Sequence, residues 1–129
     1  MNLYLRKNSE WQSDEFSHEL ILAIKENDGI AIISGCSHNG VLNIINTVNK
    51  TFDGIPIKAF IGGLHLMGFP LLNTMAGNRE EVATIGRKIL KYPIERVYSG
   101  RCTGEKAYSV LSNVMGEKLK QLHTGTIIE

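Results

Sequence analysis

The sequence predicts an α/β protein built on a mixed β-sheet with about three helices. From residue 30 onward, apolar runs typical of strands alternate with stretches whose apolar residues recur at helical spacing. Asp28-Gly29 stands between the first two apolar runs, and this pair is typical of a tight turn between antiparallel strands. Because no repeat or low-complexity linker interrupts the chain, we expect one domain over residues 1–129.

Five segments have the composition of strands. Residues 19–25 and 30–34 form the two arms of the predicted hairpin. The later strands are predicted over 56–62, 94–98 and 119–128, and the glycine at position 125 would mark a bulge in the last of them. Alternation of these strands with helices favours a layered α/β architecture.

Three segments have the apolar spacing of helices. Residues 41–50 form the first, and residues 79–91 form the second, with Asn78 as its N-cap. The third begins at a predicted Thr103 cap and ends at Gly116.

The segment between residues 66 and 78 is predicted to be a loop, because glycine and proline interrupt any regular helix there. Its apolar residues suggest a lid or a contact surface; they are Met67, Phe69, Leu71 and Leu72.

Charge and composition exclude several classes of partner. With 14 Lys and Arg against 13 Asp and Glu, the net charge of +1 gives no field that would attract nucleic acid or an anionic membrane. The apolar runs fall well short of the roughly 20 residues that a membrane helix needs. No secretory leader pattern is visible near Met1, so a cytoplasmic location is expected.

Polar tips follow three of the predicted strands. These tips are Gly35-Cys36-Ser37-His38, Gly62-Gly63-Leu64-His65 and Gly100-Arg101-Cys102-Thr103-Gly104. We expect the three tips to converge on one site, where neutral histidine would suit zinc, iron or manganese. His38 and His65 are therefore candidate metal ligands, and the alternative is that each is a hydrogen-bonded histidine in a turn.

The chain has two cysteines, Cys36 and Cys102, and both lie in glycine-flanked turns. Two such residues form no spaced disulfide framework, so reduced thiols are expected in a reducing compartment. A cross-link between them stays an alternative, because both tips approach the same predicted cleft. Each could also be a ligand or nucleophile, or simply a small residue packed into a tight turn.

Several motifs together resemble one protein family. They are Asp14-Glu15, Asp28-Gly29, Gly35-Cys36-Ser37-His38-Asn39-Gly40, Gly62-Gly63-Leu64-His65-Leu66 and Cys102-Thr103-Gly104. In this order they resemble a branch of the metallo-β-lactamase superfamily, the metal-dependent hydrolases related to dihydropterin ribofuranosyl-aminobenzene phosphate synthases. That family folds as an αββα sandwich. The resemblance implies the C-terminal half of the sandwich, since the family's His-x-His-x-Asp-His motif is absent from the 129 residues.

The resemblance also implies roles for individual residues. His38 and His65 fall in two metal-ligand motifs, which implies a divalent metal such as zinc, with manganese or iron as alternatives. Where the family has a histidine before Cys-Thr-Gly, this chain has Arg101, which cannot donate a lone pair to a metal. Arg101 could bind an anionic substrate group or have a structural role. Ser37, Cys102 and Thr103 complete the predicted substrate site, and no catalytic residue is assigned.

The predicted function is metal-assisted hydrolysis of a phosphoester or a related small molecule. The alternative is a non-catalytic, truncated or split half-domain that acts through a homo-oligomer or an N-terminal partner chain. Half a sandwich would leave one sheet face open to water, which favours association with another chain. We therefore expect the chain alone to be incomplete as an enzyme.

Overall fold

The computed structural model describes residues 4–68 and 74–128, apart from the side chain of Arg101. The strands are β1 (Tyr4–Lys7), β2 (Glu10–Ser13), β3 (Ile21–Lys25), β4 (Ile30–Ser34), β5 (Ile57–Ile61), β6 (Ile94–Ser99) and β7 (Leu119–Gln121). The helices are α1 (Val41–Thr51), α2 (Arg79–Ile89) and α3 (Glu105–Met115), and Arg101–Thr103 forms a single 3-10 turn.

The main sheet has five strands in the order β3-β4-β5-β6-β7, which is also their order along the chain. β3 and β4 are antiparallel, and the Glu26 backbone N–H donates to the carbonyl of Gly29 at 2.8 Å in the turn between them. β4, β5, β6 and β7 are parallel. This arrangement confirms the predicted hairpin and mixed sheet, and it brings the carboxyl ends of the parallel strands to one edge.

Helices α1, α2 and α3 confirm the three predicted helical segments to within a few residues at their ends. Asn78 caps α2 as predicted: its side chain accepts the Glu81 backbone N–H at 2.9 Å, and the Glu81 carboxylate accepts the Asn78 N–H at 2.7 Å. Within the described part of the chain, no helix is long and apolar enough to cross a membrane.

The hydrophobic core lies between the sheet and its helices. Ile32, Phe60 and Val97 are neighbours across β4, β5 and β6, and all three are fully buried. Each helix contributes a fully buried residue to the same cluster; these are Ile45, Val82 and Leu111. This packing uses one face of the sheet.

The opposite face of the sheet leaves large apolar side chains in contact with water. Leu22 is 56% exposed, Ile24 41% and Ile33 40%. Leu22 is paired with Ile33, and Ile33 lies beside the half-buried Ile61 of β5, so these side chains share one surface. We call Leu22, Ile24, Ile33 and Ile61 the open face.

Two predicted boundaries are wrong. The last strand ends at Gln121, because the chain turns back where the Thr126 N–H donates to the carbonyl of His123 and Gly125 takes a φ of 89°. The glycine predicted as a bulge therefore belongs to a turn. At α3 the N-cap is Gly104, which has no side chain to cap with, and Thr103 lies in the preceding 3-10 turn.

The β1–β2 hairpin was not predicted. All eight of its strand residues are exposed, so they lack the apolar alternation by which a half-buried strand is recognised. The sequence feature that could have indicated this hairpin is Asn8-Ser9. A tight two-residue turn requires positive φ, which asparagine tolerates, and both residues adopt it here.

The segment predicted as a loop is described on either side of residues 69–73. Met67 and Met75 form an isolated antiparallel bridge, which brings the two ends of the segment together. The predicted apolar anchors Phe69, Leu71 and Leu72 lie outside the described residues, so the proposed lid stays a prediction.

Candidate functional site

The three predicted tips converge at the carboxyl ends of β4, β5 and β6. The Gly63 N–H donates to the carbonyl of Gly35 at 2.8 Å, which joins the first two tips. The Met67 N–H, two residues beyond the second tip, donates to the carbonyl of Cys102 at 3.0 Å and so holds the second tip beside the third. Parallel strands make this convergence possible, because their carboxyl ends lie side by side.

His38 and His65 lie against each other at this edge. Their ring centroids are 4.1 Å apart and the rings are tilted by 50°. His65 has a φ of 48°, and Ser37, just before His38, has a φ of 60°. The left-handed backbone is uncommon for residues other than glycine, so both histidines are presented from strained turns.

A segment that precedes β3 supports His38 from the other side. The Phe16 ring stacks on the His38 ring, with centroids 4.8 Å apart and planes within 6°. The Glu19 carboxylate accepts the backbone N–H groups of His38 at 2.6 Å and Asn39 at 2.8 Å. Neither residue was predicted from the sequence; the Asp14-Glu15 motif marks the segment but gives Phe16 and Glu19 no role.

Buried hydroxyl groups tie the tips to the strand ends. The Thr103 hydroxyl lies 2.6 Å from the Ser99 hydroxyl and accepts the Leu64 N–H at 3.1 Å, and both hydroxyl-bearing residues are fully buried. Ser37 is 1% exposed, and its hydroxyl lies 3.1 Å from that of Ser34. These bonds give Thr103 and Ser37 structural partners, and their predicted contact with substrate stays a prediction.

The two cysteines are half-buried free thiols at the same edge. The Cys102 thiol lies 3.9 Å from the carbonyl oxygen of Cys36. Burial raises the pKa of the Cys102 thiol and the adjacent Cys36 thiol raises it further, while a hydrogen bond from the His65 backbone opposes them.

A cavity of about 320 Å3 opens beside the histidine pair. Its polar lining residues include His38 and His65, and its apolar lining residues include Leu42 of α1, Leu64, and Ile85 of α2. A few polar groups in a mainly apolar cavity are typical of a small-molecule site.

The electrostatics of the pair favour neutral imidazole at His65. Burial lowers the pKa of His65 below its ordinary value of 6.5, and the nearby His38 lowers it further. Neutral imidazole is the form of histidine that can bind a metal ion.

This lowered pKa predicts a pH dependence of stability. Below about pH 6.5 the unfolded chain takes up a proton at His65 more readily than the folded chain, so stability falls as the pH drops. Between pH 7.5 and pH 5, we expect the Tm of His65→Gln to fall by less than the Tm of the wild-type chain. The exposed His123→Gln serves as the matched control, and an equal change in both variants would contradict the prediction.

The described residues do not form a complete metal site. His38 and His65 offer two adjacent imidazoles, but no cluster of three or more His, Cys, Asp or Glu residues able to hold a metal occurs in residues 4–68 and 74–128. Arg101 occupies the 3-10 turn, and the structure does not describe its side chain. The pair therefore fits a metal centre only if further ligands come from outside the described residues.

Comparison with solved structures defines the class of protein. The chain superposes on a metal-dependent hydrolase of the β-lactamase superfamily with a TM-score of 0.84 and 28% identity, covering 98% of this chain and 46% of that one. The chain thus has part of the metallo-β-lactamase fold, which confirms the family resemblance seen in its motifs.

The chain is also similar to one particular synthase. Over 129 residues the chain is 32% identical to the 7,8-dihydropterin-6-methyl-4-(beta-D-ribofuranosyl)-aminobenzene-5'-phosphate synthase of Methanocaldococcus jannaschii. The match covers all of this chain and 41% of the synthase, so the chain spans less than half the length of the relatives it matches. No family model matches the chain.

Proposed function

We propose that this chain forms part of a metal-dependent hydrolase and contributes His38 and His65 to its metal centre. The observation that carries the proposal is the adjacent pair of imidazole rings, 4.1 Å apart, where three strand ends meet. A fold shared with a metal-dependent hydrolase supports it. The remaining ligands would come from outside these 129 residues, either in the same polypeptide or in a partner chain.

The proposed metal is a divalent ion, zinc first, with manganese and iron as alternatives. When bound, such an ion lowers the pKa of a coordinated water and polarises a phosphoryl or carbonyl oxygen. The protein's own part is to hold the ligands: Glu19 fixes the backbone of the His38 turn, and Phe16 fixes the plane of the ring.

The proposed substrate is a small molecule that carries a phosphoester or a related anionic group. The named product of the Methanocaldococcus relative is a 5'-phosphate, which supports this class. Arg101 follows β6 at the same edge and would bind the anionic group through its guanidinium. Ser37, Cys102 and Thr103 would border this substrate side, with Ser37 and Thr103 buried behind its surface, and the adjacent cavity would take the apolar part.

Metal analysis of the chain alone and with its complement tests this function. The chain is purified alone, and also after co-expression with a polypeptide that carries the His-x-His-x-Asp-His half of the fold. We expect stoichiometric zinc, manganese or iron in the complex, together with metal-dependent cleavage of a chromogenic phosphoester. A stable complex without bound metal would contradict the proposed function.

A second candidate is a non-catalytic half-domain that acts through a homo-oligomer or a partner chain. The open face favours it, because large apolar side chains there are 40 to 56% exposed. Metal binding separates the two candidates, since association through this face needs no metal.

Association through the open face makes its own prediction. We expect the wild-type chain to self-associate at micromolar concentration and Leu22→Asp to be monomeric in light scattering, because a buried unpaired carboxylate opposes association. Ile127→Asp is the matched control, since Ile127 is 83% exposed and lies outside the sheet. A monomeric wild-type chain would contradict self-association.

A further inference from the structure

Cys36 and Cys102 are 66 residues apart in sequence but adjacent in space. The Cys102 sulfur and the Cys36 Cα both lie within 3.4 Å of one point, the position that a Cβ on Gly63 would occupy. Gly63 thus leaves the space in which the two cysteines meet. The Cys102 thiol also lies 3.9 Å from the carbonyl oxygen of Cys36, so its sulfur reaches the Cys36 backbone.

We propose that Cys36 and Cys102 form a reversible intramolecular disulfide when the chain meets a low-molecular-weight disulfide such as oxidised glutathione. The bond would join the tip after β4 to the 3-10 turn after β6. It would pass beside Gly63, which follows the intervening strand β5. This proposal does not rest on the proposed hydrolase function, although the bond would use Cys102 of the proposed substrate side.

The reaction balances as two thiol–disulfide exchanges. One cysteine thiolate attacks a sulfur of oxidised glutathione, which breaks the glutathione S–S bond, forms a mixed disulfide and releases one glutathione thiolate. The second cysteine then attacks the protein-bound sulfur and releases the second glutathione. The two protein thiols are oxidised by two electrons, the small disulfide is reduced to two thiols, and the two cysteine protons pass to the released glutathione.

The surrounding hydrogen bonds favour the intramolecular product. The Gly63 N–H donates a hydrogen bond to the carbonyl of Gly35, the residue before Cys36. The Met67 N–H donates a hydrogen bond to the carbonyl of Cys102 itself. Both turns are therefore already held next to each other before oxidation, as an unstrained disulfide requires. Adjacent half-buried thiols in linked turns also exclude a second protein molecule more readily than exposed thiols do.

Mass spectrometry of the native chain tests the proposal. After incubation with oxidised glutathione under non-denaturing conditions, we expect loss of both free thiols and a mass lower by two hydrogen atoms, with no retained glutathione. A tryptic digest should contain peptide 26–50 joined to peptide 102–106, which hold Cys36 and Cys102 respectively. Dithiothreitol should restore both thiols.

Thermal unfolding supplies a second readout. Oxidation should raise Tm by on the order of 10 °C, because the bond closes a long loop in the unfolded chain. Cys36→Ser and Cys102→Ser should each show no such rise and should retain one glutathione. Two glutathione adducts on the wild-type chain, a disulfide-linked dimer, or two thiols that stay free would each overturn the proposal.

Discussion

Replacing either His38 or His65 with alanine is expected to weaken metal binding in the complete protein by on the order of 100-fold or more, because each substitution removes an imidazole donor. The two rings lie 4.1 Å apart, so a metal bound by one is within reach of the other. Isothermal titration with Zn2+ against the metal-free complex measures the loss. Phosphoester cleavage should fall in parallel.

Two further variants distinguish the loss of a metal ligand from an indirect effect of the substitution on the fold. His123→Ala removes an exposed histidine of the turn after β7 and should bind metal as the wild type does. Glu19→Gln keeps both histidines but weakens the charge-assisted bonds to the His38 turn, so we expect a loss of about 10-fold. Unchanged affinity in both alanine variants would exclude His38 and His65 as ligands.

Thr103→Val should lower the free energy of unfolding by about 2–4 kcal/mol, because valine keeps the shape of threonine but has no hydroxyl. The Leu64 N–H and the Ser99 hydroxyl would both lose their bond to Thr103 at a site with no access to water. Urea unfolding followed by circular dichroism measures the change.

Thr103→Ser is the matched control, since it retains the hydroxyl and loses one methyl group. We expect it to cost less than Thr103→Val. The double variant Ser99→Ala/Thr103→Val should cost less than the sum of its two single variants, because each single change already breaks the bond that the two hydroxyls share. Additive costs, or a Thr103→Val variant as stable as the wild type, would show that this network contributes little.

Local pattern was enough to predict most of the main sheet and its helices. The apolar run after Asp28-Gly29 and the helical spacing from Val41 both describe residues that the core buries on one side. The prediction failed for segments that have no buried apolar face. Residues of the β1–β2 hairpin are exposed throughout, and most residues of the predicted strand beyond Gln121 are exposed as well.

The candidate site was predictable only in outline. Three glycine-rich tips after three strands indicate convergence, since parallel strands end at one edge. The support of His38 by Phe16 and Glu19 depends on how the segment before β3 folds back, and no local spacing encodes that path. The prediction that Thr103 caps α3 was wrong for a similar reason. Its hydroxyl is hydrogen-bonded to Ser99 and to the distant Leu64, not to α3.

The order of the sheet has a consequence for how the chain folds. Each strand of the main sheet pairs with the strand that follows it in sequence, so no strand has to insert between two that are already paired. The parallel pairs still join segments separated by a helix, so they are expected to form later than the β3–β4 hairpin. We therefore expect these residues to fold as a unit before any second layer reaches the open face. Assembly would then join two preformed surfaces, and its rate should depend on concentration without a slow folding phase.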